Sequence, residues 1–132
     1  MFLETPPASD PASYTLRNAA NGTVVAAVVE TALTREVRNK GLLGRDHLAQ
    51  GHALILAPCW SVHTWFMRFP IDVIFVKRNG LVVKTRAAVP PWRLLLGVGA
   101  YATVELAAGA LERTPVRPGD RLELQSTPAS IV

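Results

Sequence analysis

The 132-residue chain carries 14 basic against 10 acidic residues, a net charge of +4, and is 49% hydrophobic. A chain of this length suits one domain that hides about two-thirds of its unfolded surface, so its core needs no staples. The single cysteine excludes a disulfide within the monomer, and the longest apolar runs fall short of the roughly 20 residues that span a bilayer as a helix.

The start, Met1 to Pro11, has neither a basic beginning nor a sustained apolar stretch, so it does not read as a secretory signal. Cytoplasmic is the expected location, with export expected if the native start lies upstream. Three prolines and little periodicity mark residues 1–12 as a flexible tail, which leaves a single β-rich domain over residues 13–127.

A hairpin is expected next: Tyr14 to Ala19, a turn at Asn21-Gly22, and an arm from Thr23 to Leu33. Asn and Gly tolerate the positive φ of a two-residue turn. Thr34 then caps a short helix over 35–40, with Glu36 in its first turn and Gly41 at its end. Leu42, Leu43 and Leu48 anchor the segment that follows. Ala53 to Ala57 reads as a short strand stopped by Pro58, and 63–67 as another.

Residues 71–76 give the clearest strand. Four of the six are β-branched, a fifth is Phe75, and Asn79-Gly80 follows as a turn. Both alternating faces are apolar, so the strand is expected to be central and covered on both sides. Strands over 81–87, 101–107 and 121–125 complete the pattern, with a loop through Pro90 to Gly99, a helical turn over Ala110 to Arg113, and a turn at Pro118-Gly119-Asp120. Seven or eight short strands separated by turns predict an all-β fold with one or two short helices, an antiparallel sandwich or barrel.

The order Arg38…Gly41-Leu42-Leu43, Trp65-Phe66-Met67…Pro70-Ile71-Asp72, Glu105-Leu106…Gly109 and Pro118-Gly119-Asp120 resembles the bacterial and archaeal family called domain of unknown function 192, over roughly Val24 to Leu124. The resemblance implies a compact β-rich domain and no reaction. Exported relatives in that family suggest a further role, as a partner protein in a secretion or surface assembly.

Several residues carry candidate chemistry. Asp72 enters a buried strand, and an unpaired buried charge costs several kcal/mol or more, so it is expected to pair with Arg38 or Arg68. An Arg38–Asp72 ion pair locking helix to sheet is preferred to catalysis. Asp72 and Glu105 could share acid–base work if they converge. Cys59 and His63 can be written as a nucleophile and base, although none of the local signatures of cysteine hydrolases is present and a buried free cysteine is the simpler reading. His47 and His52 have no metal-ligand spacing, and no metal or cofactor is implied.

Trp60, Trp65, Phe66, Phe69 and Trp92 are expected mostly in the core, yet Trp60 and Trp92 flank proline-bearing loops, where aromatic rings often line binding sites. The reading that results is a binding or accessory module whose cleft, bordered by His63, Trp65, Arg68, Asp72, Trp92 and Glu105, takes a small molecule or peptide. The alternative is a small hydrolase or isomerase using Asp72 with Glu105, or Cys59 with His63. Lys77, Arg78, Lys84, Arg86 and Arg93, with no acidic residue between Val73 and Val104, read as a solvated hairpin edge before an anion-binding face. Without a reader motif, nucleic acid is not an expected partner. A monomer or a homodimer is compatible with the pattern.

Overall fold

The computed structural model describes residues 14–126. The tail expected over residues 1–12 lies outside the described residues. Ten strands and two short helices follow in chain order: β1 Tyr14–Asn18, β2 Val24–Ala26, β3 Val28–Ala32, α1 Arg35–Lys40, β4 His52–Leu56, β5 Ser61–His63, β6 Ile71–Val76, β7 Val82–Val89, β8 Leu94–Leu96, β9 Ala102–Ala107, α2 Ala110–Arg113 and β10 Leu122–Ser126. They form a five-stranded sheet of order β3-β4-β9-β6-β7, a three-stranded sheet β10-β1-β2, and a two-stranded ribbon β5-β8. The fold is mostly β and sandwich-like, without a closed barrel.

The β6 segment is buried at all six positions and lies between β9 and β7. Both its faces are covered, as its two apolar faces require. On one side Ile74 and Val76 join Val104 and Leu106 of β9 under the small sheet, which contributes Leu16, Val25 and Leu122. On the other, Ile71, Val73 and Phe75 pack with Leu42, Leu48, Val62 and Met67.

Three departures from the expected strands have local causes. The arm from Thr23 to Leu33 breaks at Ala27 into β2 and β3, which belong to different sheets. The β3 strand then runs parallel to β4, so the fold is not wholly antiparallel. The strand expected at 63–67 stops at His63, because Phe66 adopts a φ of 64° that no strand accommodates. Leu94–Leu96, expected as loop, pairs with Ser61–His63 as β8.

Local chemistry sets the turns and caps. The Thr34 side chain accepts a hydrogen bond from the Val37 N–H at 3.3 Å, capping α1, and Gly41 ends the helix at a φ of 47°. In the last turn, the Asp120 carboxylate receives the Arg117 N–H at 2.9 Å and the Asn18 side-chain amide at 3.0 Å. These donors hold its pKa below the usual carboxylate range.

Candidate functional site

The five-stranded sheet sends its two notable carboxylates in opposite directions. In the β6–β9 register Asp72 opposes Leu106 and Val73 opposes Glu105. Directly opposed residues share a face and neighbours in sequence alternate. Asp72 therefore belongs to the face under the small sheet, and Glu105 to the face under α1 and the β5-β8 ribbon. They cannot converge for acid–base work, and the Asp72/Glu105 pairing expected from sequence is corrected here.

Asp72 is fully buried, but its compensation is not an arginine. One carboxylate oxygen accepts from the Ala88 N–H at 2.7 Å and the other from the Leu111 N–H at 2.8 Å. Ala88 sits in the irregular stretch of β7 with a φ of 51°, and Leu111 lies in the first turn of α2. Both N–H groups lack strand or helix acceptors there, and the carboxylate answers both. The Arg38–Asp72 ion pair is not formed. Arg38 instead donates to the carbonyls of Leu33 at 2.7 Å and Ala57 at 3.3 Å, tying α1 to the ends of β3 and β4. Arg68 is taken by Asp46 at 2.7 Å, on the surface.

Glu105 stands differently. It is on β9, the middle strand of its sheet, flanked by Val73 on one side and Leu54 on the other. Its residue is only 5% exposed, and no hydrogen bond or ion pair serves its carboxyl among the described residues; because no sealed side-chain oxygen there lacks a partner, the carboxyl keeps a narrow contact with solvent. Burial in this apolar setting disfavours the charged form and pushes its pKa up to about 7, against a smaller downward pull from Arg45. Arg45 itself is engaged by Glu30 at 2.8 Å.

The Glu105 carboxyl opens into a cleft of about 350 Å³. Arg38, Lys40, Gly41 and Leu43 form one wall, Cys59, Ser61 and His63 another, with Met67 and Leu56 completing the apolar lining. Gly41 matters to this shape. A Cβ there would stand 3.8 Å from a Glu105 carboxylate oxygen and 3.9 Å from Leu56, narrowing the cleft at its acidic end.

Of the six residues expected to border a cleft, His63 and Glu105 line this one. Trp65 lies just outside, stacked on the His63 ring at 4.5 Å between centroids. Trp92 packs edge-on against Phe66 at 4.7 Å, farther along the same surface, and Arg68 is held at Asp46. Asp72 is on the other face of the sheet. Cys59 and His63 share the cleft without pairing: the thiol donates to the Ser61 carbonyl at 3.1 Å while the imidazole stacks on Trp65. Sequence reasoning missed Lys40, Gly41 and Leu43 as cleft residues, although Gly41-Leu42-Leu43 is one of the stretches that carries the family resemblance. Among the described residues no three of His, Cys, Asp or Glu gather as a metal site, and no helix is long and apolar enough to cross a membrane.

Comparison with known proteins finds the same architecture elsewhere. A solved structure of a candidate transcription regulator from Sinorhizobium meliloti is 25% identical, covering 83% of this chain and 90% of its own, with a TM-score of 0.73. A protein of unknown function from Novosphingobium aromaticivorans is also 25% identical, covering 91% of this chain and 94% of its own, with a TM-score of 0.72. No curated protein matches the chain. Residues 16–124 match the family domain of unknown function 192 (DUF192), described as Uncharacterized ACR. That match takes in every strand except the outer ends of β1 and β10 and includes the whole cleft, so the chain belongs to the DUF192 family.

Proposed function

We propose that this protein is a small binding module whose cleft receives a small molecule or a peptide segment with an apolar body and a hydrogen-bond donor, an amine or amide, that meets Glu105. The observation that carries this reading is the Glu105 carboxyl itself. It is buried in the middle of a sheet, unpartnered among the described residues, and open to the cleft. A ligand donor meeting this carboxyl would contribute about 0.5–1.5 kcal/mol, or about 1.5–3 kcal/mol where one partner is charged.

Three further features support it. Leu43, Leu56 and Met67 offer the apolar walls that small-ligand sites use to bury most of their occupant. Lys40 at the rim makes no side-chain hydrogen bond or ion pair among the described residues, so a ligand with an anionic end has a counter-charge at the rim. Finally, three separate stretches of the family resemblance, those around Gly41, Met67 and Glu105, come together here from distant parts of the chain.

The test is amide chemical-shift mapping with a panel of alkyl amines, alkyl amides and short apolar peptides. Binders are expected to shift the amides of Gly41, Leu43, His63 and Met67, and to lose affinity in Glu105→Leu, with circular dichroism confirming that the variant is folded. Shifts that fall on other surfaces, or binding that Glu105→Leu leaves unchanged, would overturn the reading.

A further inference from the structure

All three tryptophans of the chain are on the surface: Trp60 is 52% exposed, Trp65 44% and Trp92 58%. Tryptophan is highly buried on average, and a domain with so apolar a core has room for it. These three are joined by Phe66, 71% exposed, and by Leu94 and Val98.

The placement is systematic. In the β5-β8 ribbon Val62 opposes Leu95, and both turn toward the sheet. Hence His63 and Leu94, and Ser61 and Leu96, turn outward. Trp65, Phe66 and Trp92 extend this outward surface at one end, in ring contact with each other or with His63. Trp60 and Val98 extend it at the other, where the Gly97 N–H donates to the Trp60 carbonyl at 2.7 Å.

The backbone is shaped to hold these rings out. Phe66 and Trp92 adopt φ values of 64° and 69°, a region that bulky residues rarely enter. They are fixed there by buried Thr64, whose hydroxyl accepts from the Arg93 N–H at 2.9 Å and donates to the Pro90 carbonyl at 2.7 Å. Such strain persists only where the surroundings enforce it and often marks a functional surface.

The charge beside this apolar ridge has one sign. On β7, Lys84 opposes Phe75 and Arg86 opposes Val73, so both lie on the sheet face that carries the ribbon. Lys84 donates to the Leu96 carbonyl at 2.9 Å, placing its ammonium at the ribbon edge. Arg93 is exposed within the ridge itself. The acidic groups on this side do not offset them, since Asp46 is engaged by Arg68 and Glu105 is buried.

We infer that this ridge docks on an anionic lipid surface, with the aromatic and aliphatic tips entering the headgroup region and Lys84, Arg86 and Arg93 meeting lipid phosphates. Tryptophan with protruding Leu, Val and Phe, backed by cations, is the combination that favours the membrane interface. The rings protrude from turns instead of lining a groove, which suits a soft surface that yields around them. Ser61 and His63 border both the ridge and the cleft, but the inference is separable from the cleft proposal because Phe66, Leu94, Arg86 and Arg93 do not line the cleft and Glu105 takes no part.

The test uses the full chain and vesicles of equal parts phosphatidylglycerol and phosphatidylcholine, read by co-sedimentation and by tryptophan emission. Because every tryptophan is in the ridge, emission should shift to the blue on adding vesicles. Binding should weaken with added salt, as screening shortens the range of the phosphate contacts. The double variant Phe66→Ser with Leu94→Ser should bind roughly tenfold more weakly or worse, having lost two inserting side chains. Arg86→Glu with Arg93→Glu should lose the preference for anionic vesicles. Four results would overturn the inference: no blue shift or sedimentation with anionic vesicles, equal binding to pure phosphatidylcholine, a Phe66→Ser, Leu94→Ser variant that binds unchanged, or a blue shift that appears without lipid as the mass doubles. The last would make a second copy the occupant.

Discussion

Replacing Asp72 by asparagine tests whether this residue is architecture. Its two oxygens accept from Ala88 and Leu111 at 2.7 and 2.8 Å, in a fully buried position. Hydrogen bonds to a charged group are worth roughly 1.5–3 kcal/mol each, and orphaning a buried N–H costs about 1–3 kcal/mol. Asparagine keeps one acceptor but turns its own N–H₂ toward the second donor. The expected loss is about 2–4 kcal/mol, and Asp72→Leu, which orphans both donors, should lose about 4–6 kcal/mol. In urea denaturation followed by far-ultraviolet circular dichroism, Asp72→Asn should lower the midpoint by about 1–2 M with the slope unchanged. The amide of Leu111 should also lose protection from hydrogen exchange. A midpoint within about 0.2 M of the parent, joined to loss of ligand binding, would refute the argument and return Asp72 to the functional residues.

Three further perturbations follow from the same geometry. Thr64→Val removes the hydroxyl that joins Pro90 to Arg93 and should cost about 1–3 kcal/mol, with the Trp92 and Arg93 amides exchanging roughly tenfold faster. Gly97→Ala drives a methyl group into the Phe75 ring, against which the ribbon lies flush. It should destabilise by about 1–3 kcal/mol or more, and combining it with Phe75→Leu should recover part of that loss in a double-mutant cycle. For Glu105, a folded pKa raised from 4.5 to about 7 means that the folded state holds the proton more tightly than the unfolded chain. Stability is then greatest below pH about 4.5 and falls as pH rises toward 7, by at most about 3 kcal/mol. Glu105→Gln should flatten that slope in urea midpoints measured across the same range, and a slope that survives the substitution would assign it to other groups.

Much of the scaffold was legible in the residues. Ile71, Val73, Ile74, Phe75 and Val76 announce a strand covered on two sides because nothing else stabilises so continuous an apolar run. Thr34 and Gly41 bracket α1 through capping chemistry that is local in sequence. What was not legible depended on partners far away. Asp72 needed compensation, and sequence offered arginines, whereas the fold supplied two backbone N–H groups from a strand irregularity and a helix start. That Asp72 and Glu105 face opposite ways follows from the β6–β9 register, which residue identity alone does not reveal. Proline-bearing loops flagged Trp60 and Trp92, but Trp65 and Phe66 were expected in the core and are exposed as well, and the positive φ values of Phe66 and Trp92 run against the preference of any aromatic residue. The β8 strand hid between Pro91 and Gly97 for a similar reason: breakers on both sides resemble a loop.

The central claim is that Glu105 is a buried, unpartnered carboxyl at the floor of a cleft, and a carbon-13 NMR titration of its side-chain carboxyl reads that state most directly. A midpoint near pH 7 is expected, with the amides of Gly41 and Leu56 responding in step, because desolvation on the middle strand disfavours the charge. A midpoint close to the ordinary glutamate value of 4.5 would mean that the carboxyl is already solvated or paired, and the cleft would lose the group on which its binding role rests.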